Sequence, residues 1–111
     1  MIHLTRDTFV DEVLNSDKVV VIDFWAEWCH PCKLLEPVFE ELEKEYSQFK
    51  FCKVNTEEEP FIAQQYSIQS IPTTMFFYKG KIIKRFVGFA PKPHLKKIFD
   101  EVLKETLEEN K

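Results

Sequence analysis

An apolar, β-branched run opens at position 19: Val19-Val20-Val21-Ile22-Asp23-Phe24-Trp25, broken by a single carboxylate. Apolar residues at nearly every position predict a strand buried on both faces, in the centre of a sheet. Phe49 to Val54 repeats the pattern and predicts a second buried strand. Thr73 to Tyr78 and Ile82 to Val87 predict two more, joined by Lys79-Gly80-Lys81 as an antiparallel hairpin and ended by Gly88. Ile2 to Leu4 is a short edge strand.

Between these runs the spacing turns helical. Phe9, Val10, Val13 and Leu14 share one face of a helix capped by Thr5 or Asp7, and Asn15-Ser16-Asp17 is the turn after it. Trp28-Cys29-His30-Pro31 opens a second helix, with proline tolerated in its first turn. Its core face carries Leu34, Leu35, Val38, Phe39, Leu42 and Tyr46, and Pro37 predicts a kink inside it. Asn55-Thr56 closes the second buried strand. Glu57-Glu58-Glu59-Pro60 reads as the acidic first turn of a third helix bearing Phe61, Ile62, Ala63 and Tyr66. Ser67 to Pro72 is a loop. Pro91 and Pro93 introduce a last helix with Leu95, Ile98, Phe99, Val102, Leu103 and Leu107 inward, followed by a solvated tail, Glu108-Glu109-Asn110-Lys111.

The resulting order, βαβαβαββα, begins with βαβ units that need a parallel sheet and ends in a hairpin plus a helix. Its fold class is α/β, a central mixed sheet with helices on both faces. No repeat, linker or low-complexity segment divides the chain, so residues 1–111 are read as one domain.

Composition narrows this picture. The chain has 111 residues, enough to bury a core without staples. Eleven Phe against two Gly favour an aromatic core with short turns. A net charge of −4 gives no electrostatic reason to expect nucleic acid as a partner. No apolar run reaches membrane-spanning length, and the N-terminus lacks the pattern of a secretory signal. The expected location is the cytoplasm. Three cysteines are too few for a disulfide scaffold, and in a reducing compartment a close pair is more often catalytic or metal-binding.

That pair is Cys29 and Cys32. At i and i+3 they lie on one side of a helical turn and can close a small disulfide. Cys29, at the helix N-terminus, gains thiolate stability from free backbone N–H groups and the dipole; Cys32, one turn in, is the more covered. The spacing suggests attack by Cys29 on a target disulfide and resolution by Cys32. Asp23 is expensive to desolvate in its apolar run, so its pKa is expected to rise. It can take and return the proton of Cys32, or it can be a structural polar group bonded to backbone. Lys53, on the neighbouring strand, is its natural partner. A zinc site is disfavoured, because no second ligand pair accompanies the cysteines, and no cofactor is expected beyond the Cys29–Cys32 disulfide. Cys52 reads as a small core residue.

Asp23-Phe24-Trp25-Ala26-Glu27-Trp28-Cys29-x-Pro31-Cys32-Lys33, with Pro37, Lys53, Ile71-Pro72-Thr73 and Val87-Gly88, resembles the thioredoxin family along essentially the whole chain. The resemblance implies a thioredoxin fold, with a four- or five-stranded sheet and four helices. It also implies reduction of disulfide-containing proteins, with a thioredoxin-reductase-type electron donor and a monomeric carrier. Residue by residue it implies Cys29 as exposed nucleophile, Cys32 as resolving thiol, and Asp23 with Lys53 as the proton-handling pair. Pro72 is implied to be cis, with Ile71 pairing its backbone to an extended substrate. Trp28, Val87 and Gly88 are implied to border an apolar docking patch.

Some positions depart from the family pattern. His30 stands before Pro31 where glycine is usual. An imidazolium there favours the thiolate and makes the pair more oxidising, which keeps a disulfide oxidase or isomerase as the alternative reading. Ser70, Phe89 and Thr56 also depart, at positions on the expected docking rim.

Overall fold

A computed structural model describes residues 1–109. Five strands form one sheet: β1 (Ile2–His3), β2 (Val19–Trp25), β3 (Phe49–Asn55), β4 (Thr73–Tyr78) and β5 (Lys81–Val87), in the spatial order β1-β3-β2-β4-β5. β3 runs parallel to both β1 and β2; β4 is antiparallel to β2 and to β5. Three α-helices accompany them: α1 (His30–Glu45), α2 (Pro60–Gln65) and α3 (Lys92–Glu109). A fourth helical segment, Val10–Leu14, is wound as a π-helix. This mixed five-stranded sheet with flanking helices is the architecture that the resemblance implies.

β2 is buried along all but its last residue, because strands cover it on both edges and helices on both faces. Its side chains alternate between two cores. Val19 and Val21 join Leu35, Phe39 and Leu42 of α1 and Phe99 of α3. Val20, Ile22 and Phe24 join Phe9, Val13, Ile62, Met75 and Phe77 on the opposite face, with Cys52 as small filler. By this alternation Asp23 points to the α1 side. Phe99 is the aromatic hub there, its ring centroid 5.1 Å from Phe76, 5.2 Å from Phe49 and 5.7 Å from Phe51.

Four local expectations need correction. The first helical segment closes its turn from Asn15 N–H to the Val10 carbonyl, five residues back, and this winding leaves Val10 exposed. Leu34 is 48% exposed, because the inward stripe of α1 is Cys32, Leu35, Phe39 and Leu42, and Leu34 sits about 100° away from Leu35. Glu57 and Glu58 precede α2 rather than forming its first turn: their backbone N–H groups donate to Asn55 Oδ1 in a turn. Phe61, inside α2, is 49% exposed and lies under the Arg6 guanidinium at 3.9 Å.

The last helix also differs from its reading. The buried position after Val102 is Thr106, whose hydroxyl donates to the Leu103 carbonyl, so Leu107 turns outward at 67% exposure. Glu108 and Glu109 continue α3 rather than starting a tail. Asn110 and Lys111 lie outside the described residues. The β4–β5 turn is tighter than expected: Lys79 and Gly80 alone make it, both at positive φ, and β5 starts at Lys81.

Candidate active site

The strand β2 ends at Trp25, and Cys29 follows as the N-cap of α1. Two donors of Thr56, its backbone N–H at 2.9 Å and its hydroxyl at 3.2 Å, fix the Trp25 carbonyl and so the exit of the strand. Cys29 and Cys32 are joined as a disulfide across the first turn, with Cα atoms 5.3 Å apart. The Cys32 N–H points at Cys29 Sγ at 3.3 Å. This is one of the free N–H groups of a helix start, so its dipole meets the sulfur that would carry charge on reduction. His30 and Pro31 are the first two helical residues, and His30 is exposed.

The two cysteines are not distinguished by residue exposure in this oxidised pair. Cys29 and Cys32 are each 3% accessible, against the expectation of an open Cys29 over a covered Cys32. The cause is lateral packing: Ala26, Trp25 and Ile71 close around both residues. What distinguishes them is direction. Cys29 Sγ lies 3.7 Å from the Ile71 carbonyl, on the side of the Ile71–Pro72 peptide, which is cis. Cys32 lines a cavity of about 230 Å³ on the other side.

The rim beside Cys29 is apolar and open. Trp28 is 70% exposed and Val87 54%, with Phe89 beyond them and Ile71 half-buried. Gly88 has φ +98°, in the left-handed region that favours glycine, and its N–H donates to the Pro72 carbonyl at 2.8 Å. That bond ties the end of β5 to the cis-proline loop. Thr73 reinforces the loop from the other end through its hydroxyl bond to the Ser70 carbonyl.

The cavity beneath Cys32 collects charged side chains. Asp23, Glu36 and Lys53 line it, together with His3, Glu27 and Lys33 at its edges. Asp23 is 2% exposed, and its Oδ1 has no hydrogen-bond partner among the described residues. Burial pushes its carboxyl up to about 7; the nearby Lys53 charge pulls it down and Glu36 pushes it up. Lys53 sits opposite Asp23 in the β2–β3 register. Its ammonium, however, lies 3.8 Å from Glu36 Oε2 and 4.5 Å above the Trp25 ring. Pairing of Lys53 with Asp23 is therefore a matter of charge at a distance, and the contacting carboxylate is Glu36.

Glu36 is the residue that the sequence reading passed over. Its signal was spacing: i+4 from Cys32, which puts both on one helical face. Thr56, placed on the docking rim from sequence, acts instead on the strand end. No three His, Cys, Asp or Glu side chains among the described residues gather as a metal site. No helix among them is long and apolar enough to cross a membrane.

A family model described as Thioredoxin matches residues 1–101. The chain is 42% identical over 98 residues to a protein named Thioredoxin of Mycoplasmoides gallisepticum, covering 88% of this chain and 98% of that one. It is 45% identical over 102 residues to Thioredoxin of Buchnera aphidicola, covering 91% and 94%. Against Thioredoxin 1 of a Nostoc species the identity is again 45% over 102 residues, covering 91% and 95%.

Proposed function

The chain belongs to the thioredoxin family of thiol–disulfide oxidoreductases, and on that premise we propose that it works as a single-domain dithiol carrier that reduces protein disulfides through Cys29 and Cys32. The observation that carries this reading is the disulfide at the N-terminus of α1, set between an open apolar rim and a buried carboxyl. The oxidising alternative draws no support from the comparisons.

In the reduced protein the Cys29 thiolate, favoured by the helix start, attacks one sulfur of a target disulfide. The S–S bond breaks, one target thiolate leaves, and a mixed disulfide forms on Cys29. Asp23 then accepts the proton of Cys32 across the cavity. The Cys32 thiolate attacks Cys29 Sγ, the second target thiolate leaves, and the Cys29–Cys32 disulfide seen here is the product. Two electrons have passed to the target. A carboxyl pushed up to about 7 suits that task, since it both takes and returns a proton at neutral pH.

The target lies along Ile71 in extended form and contacts Trp28, Pro72, Val87 and Gly88. Exposed apolar side chains beside the sulfur and the cis-proline next to it support this placement. His30 and Pro31, the first two residues of α1 beside Cys29, tune the pair. Family members act on disulfide proteins and need no cofactor beyond the active-site disulfide. For this chain we take a reductase of the thioredoxin-reductase type as electron donor, a monomer as the working form, and the cytoplasm as its place.

Insulin-disulfide reduction with dithiothreitol as donor tests the assignment. Cys29→Ser is expected to fall to background. Cys32→Ser is expected to stall as a covalent adduct through Cys29, visible by non-reducing electrophoresis. Turnover by Cys32→Ser at the wild-type rate would overturn the two-thiol mechanism.

A further inference from the structure

We propose that Glu36 is a positioning residue: with the Trp25 ring it seats the Lys53 ammonium at the mouth of the cavity, and so leaves the buried Asp23 carboxyl without a contacting cation. The inference rests on the reading of Asp23 as the proton acceptor of Cys32.

Three observations carry it. Lys53 and Asp23 are register partners on adjacent strands, where a direct ion pair is the geometry to be expected, yet the ammonium lies 3.8 Å from Glu36. The Trp25 ring also holds the same ammonium, at 4.5 Å from its centroid. Asp23 Oδ1 meanwhile has no hydrogen-bond partner among the described residues, although it lines the same cavity as both charged groups.

The Lys53 side chain is 11% exposed and that of Glu36 49%, so solvent screens the pair from the glutamate side and weakens it. The seat nevertheless competes well. In the seat the buried ammonium has a carboxylate and an aromatic face beside it, and to contact Asp23 it must give up both. Glu36 thus decides where the lysine charge sits, and distance decides how strongly that charge opposes the proton on Asp23.

The other charged groups around the cavity are His3 from β1, Glu27 from the loop after β2, and Lys33 from α1; β4 offers Thr74 opposite Asp23. None of these is in the seat. If Lys53 were to close on Asp23, the carboxyl would be held ionised near neutral pH and would have less proton affinity to offer Cys32. Glu36 therefore sets the working pH of the resolving step without touching sulfur.

The test separates the seat from the plain field of a carboxylate. The Asp23 carboxyl is titrated by ¹³C NMR in the oxidised protein, in four forms: wild type, Glu36→Gln, Lys53→Met and the double variant. Glu36→Gln is expected to lower the Asp23 midpoint by about 1 pH unit, and to lower the pH optimum of insulin reduction in parallel. In the Lys53→Met background the same substitution is expected to move the midpoint less than half as far. Equal shifts in both backgrounds, or no downward shift, would overturn the proposal. Asp23→Asn answers the underlying reading independently. If it keeps the wild-type pH profile of reduction, the proton-handling role fails, while the Glu36 titration still decides the seat.

Discussion

Asp23 and Lys53 face each other across the parallel pair of β2 and β3, but the lysine ammonium contacts Glu36 and the Trp25 ring instead. The carboxyl is left buried with its Oδ1 unpartnered among the described residues, and that arrangement has a cost that depends on pH.

Asp23 rises from 3.8 to about 7 on folding, with burial the chief cause. Below pH 3.8 it is protonated in both states and contributes no penalty. Above that the unfolded chain ionises while the folded one holds its proton, so the folded state binds more protons and stability falls as pH rises, until the folded group ionises near 7. The full penalty is about 4 kcal/mol at most. Asp23→Asn should therefore gain about 2–4 kcal/mol relative to wild type on going from pH 4 to pH 8, read from urea midpoints. A difference that does not change with pH would contradict the assignment.

His30 is exposed at the first position of α1, beside the N-capping Cys29. On the proposed reading, the imidazole next to the sulfur favours the Cys29 thiolate and hence the reduced protein. His30→Gly is expected to make the reduction potential more negative by about 30 mV, a tenfold change in the exchange equilibrium, and to raise the Cys29 pKa. Equilibration with glutathione checks it, and equal potentials for the two proteins would remove His30 from the redox chemistry.

Trp28 presents 70% of its surface at the rim and Val87 presents 54%. Such exposed groups add little to folding but much to docking. Trp28→Ala is expected to raise KM for a protein disulfide roughly 3–10-fold, with kcat nearly kept and stability within about 0.5 kcal/mol. A loss confined to kcat would place the indole in the chemistry instead of the contact surface.

Much of this was readable because it rests on short-range rules. The run from Val19 to Trp25 is too apolar for anything but an interior strand, and two cysteines at a helix start have few uses. Ile71-Pro72 carried a hint, since cis peptides belong almost wholly to proline. What escaped depends on neighbours distant in sequence. Glu36 looks like one more acidic residue on a solvated face until β3 brings Lys53 beneath it. Cys29 looks open until Ile71, 42 positions away, closes over it. The π-winding of Val10–Leu14 leaves no mark in a pattern that fits an α-turn almost as well.

The last helix offers a check on the register of the core. Phe99 and Leu107 both belong to the apolar pattern of α3, and spacing alone treats them alike. In the fold they differ completely. Phe99 is fully buried, and aromatic rings from α1, β3 and β4 converge on it; Leu107 is 67% exposed because Thr106 takes the inward position. Truncation of Phe99 removes a large buried group and leaves a cavity that rigid strands cannot close, so Phe99→Ala should cost about 3–5 kcal/mol. Leu107→Ala should change stability by less than about 0.5 kcal/mol, since its side chain is already mostly in water. Urea denaturation of both variants reads the difference directly. A costly Leu107→Ala would mean that the end of α3 is rotated, with Leu107 rather than Thr106 against the sheet.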